Sequence, residues 1–423
     1  MSLDLHKIAS QIQEVASNLN DGEADRASRL ERAFNTLTTV QPDVLEEKRK
    51  LSRATFLFAG LNGSLAGRYP SPALPSNHTV LAVDGSHIDV DRHLAVQCYL
   101  INIGRVRIQY GDSPGAWLDN EPHLYTGEDS MYIMEPSGNR TQSLEGHLLG
   151  ALRAVEELQA LAALAKESDP ELPTLALVDG SLILWGLVGG AYPDFVRRVL
   201  LDDMFLPALD ELREMSKTRT LALASYVSLP RSTDVVNFLR LDSLLCPYEA
   251  ANCDMHCRDL RPGQRPCDEV LGVTDRDIFD SLLDDGERSD TFASTSSIVE
   301  QYYGEQTVHF YYLNVGSEMA RVEVPQWVVE NPELLDITHS MLVDQSRKGH
   351  GYPVAISEAH EQAVVTMGDR EEFRLMVEDA LQGHRLPVFT SQKNFSKRMR
   401  ILGRKDGDEN FFKLPEPEPE WSL

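Results

Sequence analysis

Two stretches of the chain share one pattern, an apolar run that ends in Asp-Gly-Ser. The first occupies residues 80–86 (VLAVDGS) and the second residues 175–182 (LALVDGSL). Four or five apolar residues, partly β-branched, predict a buried strand, and a glycine after the aspartate allows a sharp turn where the strand ends. Asp84 and Asp179 are therefore expected at a sheet edge, where two carboxylates can share a divalent metal ion. Ordinary turns at two strand ends are the alternative interpretation.

Length and apolar content limit the class of protein. With 423 residues, of which 42% are hydrophobic, the chain predicts one large domain with insertions, or two domains. No apolar run approaches the roughly 18 residues that a membrane-spanning helix needs, and the N-terminus lacks the basic-then-apolar order of a signal peptide. A soluble, cytoplasmic protein is expected.

The charge balance argues against broad, non-specific adhesion to nucleic acid. Lys and Arg number 40 against 66 Asp and Glu, a formal net charge of −26. A bound polyanion would need a metal ion or a local basic patch. One such patch is predicted near the C-terminus, and its candidate nucleic-acid-binding residues are Lys393, Lys397, Arg398 and Arg400. A solvated surface segment is the alternative.

Hydrophobic periodicity predicts strands and helices that alternate along the chain, which favours an α/β sheet. Predicted helices cover residues 4–58, 143–166 and 196–217. Besides the two Asp-Gly-Ser strands, strands are predicted at 93–103 and 105–110, joined at Gly104, at 220–227, and as a hairpin at 309–315 and 320–324.

A further pair of candidate residues lies near the C-terminus. Pro353 suits the start of a helix, so that Tyr352, just before it, and His360, two turns later, can lie on one side of that helix. His360 can ligate a metal or transfer a proton, and Tyr352 can position a phosphate or a water. A structural role in an amphipathic helix is the alternative.

Taken in order, these motifs resemble those of the NurA nuclease family. The resemblance spans residues 78–368 and rests on VDGS, VDGSL, YLN, RVEVPQW and GYP followed by AH, at residues 83–86, 178–182, 312–314, 321–327, 351–353 and 359–360. It implies an α/β fold with an RNase H-like mixed sheet core flanked by helices. It also implies a manganese-dependent nuclease that degrades single-stranded and double-stranded DNA, mostly from the 5′ end. The family acts in double-strand-break end resection as a homodimer with the hexameric ATPase HerA.

The resemblance also implies a set of site residues. The metal-binding aspartates of the family fall on Asp84 and Asp179, and its tyrosine and histidine on Tyr352 and His360. A helical glutamate falls on Glu157, which fits the local pattern better. Helical phase favours Glu156 instead, so the choice stays open. Three carboxylates and an imidazole suit Mn²⁺ or Mg²⁺.

A group of cysteines departs from the family pattern. Cys246, Cys253, Cys257 and Cys267 lie within 22 residues, whereas Cys98 stands alone on a predicted strand. With a nearby histidine, four thiols can form a tetrahedral zinc site or, less readily, hold an iron–sulfur cluster. Unligated thiols are the alternative, and disulfides are not expected in the cytoplasm.

These observations predict an order of segments and two candidate functions. The segments are an N-terminal helical segment (1–60), a NurA nuclease domain (78–403) with a Cys-rich insertion (244–270), and a disordered Pro/Glu tail (406–423). The first hypothesis is a DNA nuclease with 5′–3′ exonuclease and single-strand endonuclease activity. The second is a non-catalytic adaptor subunit of a DNA-translocating ATPase.

Overall fold

The computed structural model describes residues 5–54, 56–90, 96–261 and 263–385, and its main feature is one large mixed sheet flanked by helices. The strands are β1 (Ala59–Leu61), β2 (Arg68–Tyr69), β3 (His78–Ile88), β4 (Cys98–Tyr110), β5 (Gly115–Thr126), β6 (Tyr132–Met134), β7 (Thr141–Ser143), β8 (Thr174–Asp179), β9 (Leu221–Val227), β10 (Arg288–Ser289), β11 (Phe292–Ser294), β12 (Val308–Asn314) and β13 (Met319–Pro325).

Helices follow the strands along most of the chain. The α-helices are α1 (Leu5–Thr39), α2 (Pro42–Leu51), α3 (Glu128–Met131), α4 (His147–Lys166), α5 (Asp194–Arg197), α6 (Leu206–Ser216), α7 (Asp234–Leu239), α8 (Cys253–His256), α9 (Asp275–Leu282), α10 (Gln326–Val329), α11 (Pro332–Lys348), α12 (Val354–Ala363) and α13 (Met367–Gly383). Short 3₁₀ segments span Trp185–Gly190, Pro266–Val270 and Gly304–Gln306, and π-helical turns span Arg198–Phe205 and Val299–Tyr303.

The centre of the sheet has the strand order β5-β4-β3-β8-β9. β3, β4 and β5 form an antiparallel meander, whereas β8 runs parallel to β3 and β9 runs parallel to β8. Helix α4 connects the meander to β8 and packs on β3. This order, with a single antiparallel strand among the five, is the arrangement of an RNase H-like core, and the predicted fold class is confirmed.

The sheet continues beyond β9 through β13, β12, β11 and β1. β12 and β13 pair antiparallel from Val308↔Pro325 to Asn314↔Met319, so the predicted hairpin is confirmed. A first apolar core lies between the central strands and helices α4, α6, α11 and α12. A second lies between β12 and helices α1, α2, α7 and α9.

The predicted helix over residues 4–58 is interrupted in the structure. α1 ends at Thr39, α2 begins at Pro42, and β1 begins at Ala59. Proline has no backbone N–H and fixes its own φ angle, so it is tolerated in the first turn of a new helix but not inside a continuous one. The prediction was correct in type and wrong in extent.

The predicted break at Gly104 is also wrong, since β4 runs through this residue without interruption. Gly104 pairs with Asp84 across the β3–β4 ladder. A Cβ at this position would collide with the backbone of α12, at Ala359 O and 2.6 Å from Ala363 N. Glycine therefore allows a helix to approach the sheet closely here, rather than ending a strand.

Several predictions concern parts of the chain that the structure does not describe. The basic residues Lys393, Lys397, Arg398 and Arg400 and the Pro/Glu tail lie outside the described residues. The segment boundaries proposed from the sequence stay predictions. Among the described helices, none is long and apolar enough to cross a membrane.

Candidate active site

Asp84 and Asp179 lie side by side on the neighbouring parallel strands β3 and β8. The parallel pairing runs up to Val83↔Val178, the residues just before the two aspartates. Equal register on parallel strands puts both carboxylates on the same face of the sheet. The two Asp-Gly-Ser motifs therefore meet at one place.

The two motifs nevertheless differ in backbone conformation. Asp179 is the last residue of β8, and Gly180 has a φ of 88°, as expected for a turn. β3, however, continues past Asp84 to Ile88, so the predicted strand end at Asp84 is wrong. The long antiparallel ladder with β4 provides hydrogen-bond partners for β3 beyond the point where β8 stops.

Asp84 pairs with His360 of helix α12. Asp84 is 9% exposed, and its Oδ2 accepts a hydrogen bond from His360 Nδ1 at 2.7 Å. The His360 side chain is 59% exposed, so the imidazole is open to solvent and to a substrate. The end of α12 is held to the sheet because Asn102 Nδ2 donates to Ala363 O at 2.9 Å and Ser86 Oγ donates to the same oxygen.

Asp179 pairs with Tyr352, the residue that precedes Pro353. Tyr352 donates its hydroxyl to Asp179 Oδ1 at 2.9 Å, and its ring packs edge-on against Tyr226 with centroids 5.4 Å apart. Burial raises the pKa of Asp179, and the tyrosine hydrogen bond opposes that rise. Burial likewise raises the pKa of Tyr352, so its hydroxyl remains a donor at neutral pH.

Glu157 approaches β3 from helix α4. Its residue is 4% exposed, and a Cβ on Gly85 would lie 2.5 Å from Glu157 Oε1. Gly85 is thus required for close approach and not, as the sequence suggested, for a turn. Successive strand residues point to opposite faces, so Glu157 lies against β3 from the face opposite to the Asp84 side chain.

The buried carboxyl group of Glu157 has few partners that would stabilise its charged form. Burial, with a smaller contribution from the charges of Asp84 and Asp179, raises the pKa of Glu157 to about 8 despite the opposing effect of Arg153. Arg153 Nε lies 3.5 Å from Glu157 Oε1, an ion pair too long for a hydrogen bond. Glu157 Oε1 is buried without a hydrogen-bond partner.

Glu156, the alternative candidate, points elsewhere. Tyr125 donates its hydroxyl to Glu156 Oε1 at 2.6 Å, and Glu156 lines a cavity of about 540 Å³ between α4 and the β4–β5 hairpin. The apolar stripe of α4 could not decide between the two glutamates because the helix is buried on several sides. Of the two, Glu157 is the one that lies within electrostatic range of both aspartates.

These side chains have the donor chemistry of a divalent-metal site. Asp84 and Asp179 share one face of the sheet, whereas Glu157 lies against the opposite face of β3. Burial and mutual repulsion raise the pKa of Glu157 and Asp179, and Glu157 Oε1 lacks a hydrogen-bond partner. A divalent cation would satisfy both conditions. In the part of the chain that the structure describes, no three His, Cys, Asp or Glu side chains are already arranged to hold a metal ion. Binding would therefore require these side chains to reorient.

A buried network of hydrogen bonds, which was not predicted from the sequence, supports the second Asp-Gly-Ser motif. Glu323 of β13 is 1% exposed, and its Oε2 accepts from Ser181 Oγ at 2.7 Å and from Leu182 N at 3.0 Å. Arg321 Nε donates to Glu323 Oε1 at 2.9 Å, and Arg321 Nη1 to Asp234 Oδ2 at 3.2 Å. Alternating charged residues inside an otherwise apolar strand were the sequence signal for it.

A cavity of about 490 Å³ opens beside Glu157 and Asp179. Arg153, His147 and Trp185 also line it, and Trp185 is 42% exposed while its Nε1 donates to Ser181 Oγ at 3.1 Å. The four clustered cysteines line a different cavity, which shares no residue with this one. There is thus room for a ligand next to Glu157 and Asp179, whereas Asp84, Tyr352 and His360 do not line this cavity.

Two solved structures resemble this chain weakly. Aquifex aeolicus Argonaute matches with 9% identity over 69% of this chain and 29% of that chain, with a TM-score of 0.25. The C-terminal lobe of a budding yeast Argonaute matches with 11% identity over 74% of this chain and 52% of that chain, with a TM-score of 0.26. The chain spans well under two thirds of either protein, and TM-scores this low do not establish a shared fold. No curated protein sequence matches the chain.

Comparison with family profiles is more informative. The NurA domain matches residues 78–365, which is more than half of the chain. The match begins with β3 and ends just after α12, and it includes all five candidate residues: Asp84, Glu157, Asp179, Tyr352 and His360. The mixed sheet is consistent with this match, and the chain belongs to the NurA family of DNA-processing nucleases.

Proposed function

We propose that the protein is a metal-dependent nuclease that hydrolyses phosphodiester bonds of DNA at the site around Asp84 and Asp179. One observation carries the proposal: two adjacent parallel strands present their aspartates on one face, and each aspartate has its own partner, His360 or Tyr352. A protein released from catalysis has no physical need for buried acids at this position, because burying carboxylates next to one another is costly.

Asp84, Glu157 and Asp179 are the proposed metal ligands, with His360 as a further ligand or as a proton shuttle. When bound, Mn²⁺ or Mg²⁺ would activate a water and stabilise the leaving 3′-oxygen. Oxygen ligands with an imidazole suit either ion. The cation would also offset the repulsion between DNA and a chain of net charge −26.

The remaining groups have positioning roles in this proposal. Tyr352 holds Asp179 in one orientation through its hydroxyl, and Asp84 orients the His360 ring through Nδ1. Because the ring is largely exposed, its other nitrogen can exchange a proton with a substrate or with solvent. Trp185, at the rim of the neighbouring cavity, can stack on a base of a single-stranded end.

The finer assignment rests on the resemblance to the family. We propose a 5′–3′ exonuclease with single-strand endonuclease activity that acts in end resection during double-strand-break repair. In this proposal the protein works as a homodimer with a HerA-type hexameric ATPase. Membership of the NurA family supports this assignment.

The test is degradation of DNA labelled at the 5′ or the 3′ end, single-stranded and double-stranded, with Mn²⁺ and with or without the ATPase. Wild-type protein should release label first from the 5′ end. Asp84→Asn and Glu157→Gln should each lose at least about 100-fold in rate, because a metal ligand is removed.

Glu156→Gln is the matched control, because it makes the same chemical change one residue away on α4, at a side chain that binds Tyr125 instead. It should retain most of the wild-type rate. An inert wild-type protein, both alone and with its ATPase, would favour the adaptor hypothesis. Equal activity of wild type and Asp84→Asn would contradict the proposed site.

A further inference from the structure

Four cysteines of the insertion surround one small cavity. Cys246 follows α7, Cys253 and Cys257 flank the short helix α8, and Cys267 lies in the 3₁₀ segment Pro266–Val270. All four line a cavity of about 30 Å³, all are partly buried, and none forms a disulfide. Three separate turns of an irregular segment thus direct their thiols to the same place.

The thiols are close enough to affect one another. Cys253, Cys267 and Cys246 all lie within electrostatic range of Cys257. A divalent metal ion binds cysteines as thiolates and releases their protons, so thiols gathered in this way can supply the ligands of one ion.

A cationic side chain is already in place behind one sulfur. Arg240 Nη2 donates to Cys267 Sγ at 3.4 Å and lies 3.4 Å from Asp268 Oδ1. Its guanidinium also lies over the ring of Phe56, 4.6 Å from the centroid. A charged donor fixed against a sulfur is the kind of outer contact that stabilises and orients a metal-bound thiolate.

Hydrogen bonds tie the insertion to α2 and to the residues that follow it. Lys48 Nζ of α2 donates to Cys246 O at 2.6 Å. Arg53 N donates to Ala251 O at 2.7 Å, and Ala251 N donates to Ser52 Oγ at 2.8 Å. Between Cys246 and Cys267, the described residues contain one four-residue helix and the start of a 3₁₀ segment, so few backbone hydrogen bonds hold this segment together.

We propose that Cys246, Cys253, Cys257 and Cys267 bind one structural Zn²⁺ as a four-thiolate site that staples the insertion. The cavity has room for about a single ion or one or two waters, whereas a [4Fe–4S] cluster would add eight atoms. The four sulfurs do not yet form a metal-binding arrangement in the described structure, so they must rotate inward to reach the zinc–sulfur distance of about 2.3 Å.

The test is the metal content of the full-length protein, purified with zinc in the medium and dialysed, measured by mass spectrometry of the elements. About one zinc per chain is expected for wild type. Cys253→Ser and Cys267→Ser should lose most of it. Cys98→Ser is the matched control, because Cys98 lies on β4 and does not line the cavity, and it should keep the full zinc content.

A second measurement keeps the proposal testable if the variants do not fold. Wild-type protein reconstituted with Co²⁺ should show the intense thiolate charge-transfer bands and visible bands of a tetrahedral four-sulfur site. Wild type that binds neither zinc nor cobalt would overturn the proposal. Iron with visible cluster absorption would also overturn it, and so would equal zinc loss in Cys98→Ser. Because none of these readouts is nuclease activity, the result is independent of the proposed function.

Discussion

Replacing Glu157 by glutamine should change how stability depends on pH. Burial raises the pKa of Glu157 from 4.5 to about 8, so in metal-free protein its side chain is mainly a neutral carboxylic acid at pH 7. Glutamine has nearly the same shape and no charge at any pH. The variant should therefore fold like the wild type and lack only this titration.

The sign follows from proton binding in the two states. Between about pH 4.5 and pH 8 the folded protein keeps the Glu157 proton while the unfolded chain has lost it, so the free energy of unfolding falls as pH rises. Each pKa unit of difference is worth about 1.4 kcal/mol. From pH 5 to pH 8 the wild type should therefore lose about 3.5 kcal/mol relative to Glu157→Gln.

The assay is urea unfolding of both proteins in EDTA at pH 5, 6, 7 and 8, with the difference in unfolding free energy plotted against pH. That difference isolates Glu157, because the other titrating groups are common to both proteins. Saturating Mn²⁺ should abolish the effect in wild type, since the metal takes the carboxylate form. If this difference stays constant within about 0.5 kcal/mol from pH 5 to 8, the pKa of Glu157 is not raised by folding.

Three further predictions concern side chains around the site. Gly104→Ala places a Cβ against the backbone of α12, and by displacing this helix it should lower nuclease activity at least about 10-fold. Gly115→Ala should have no effect in the same rate assay, because a Cβ there would have no atom within 4 Å. Glu323→Ala leaves a buried arginine and two hydrogen-bond donors without their acceptor, so it should lower the free energy of unfolding in urea by about 3–5 kcal/mol. A decrease of less than about 1 kcal/mol would contradict the stabilising role of this network. Tyr352→Phe removes a hydrogen bond that lowers the pKa of Asp179, so the acidic limb of the pH profile of kcat/KM should move to higher pH. An unchanged acidic limb would contradict a role of this hydrogen bond in the active protein.

The sequence was most informative where local pattern and tertiary structure agree. The apolar runs before Asp84 and Asp179 predicted two buried strands, and the structure pairs them as parallel neighbours, which brings the two aspartates together. The hairpin of β12 and β13 was equally predictable, because a turn-prone segment separates two β-rich runs.

Other features depend on contacts that no local pattern contains. The sequence predicted turns at Gly85 and Gly104, but in the structure each glycine allows a helix to approach the sheet. Gly85 makes room for Glu157 of α4, and Gly104 makes room for the backbone of α12. Glycine has the same sequence signature in both situations. The support that Glu323 gives to Ser181 joins residues 142 positions apart, so it could be found only in the folded chain.

A crystal structure of the protein soaked in Mn²⁺, with data collected at the manganese absorption edge, would show whether Asp84, Glu157 and Asp179 share a divalent metal ion. We expect an anomalous peak within about 2.5 Å of carboxylate oxygens of both aspartates, with Glu157 turned towards it. If protein that cleaves DNA in Mn²⁺ gave crystals with no such peak at these carboxylates, the proposed metal site would be wrong.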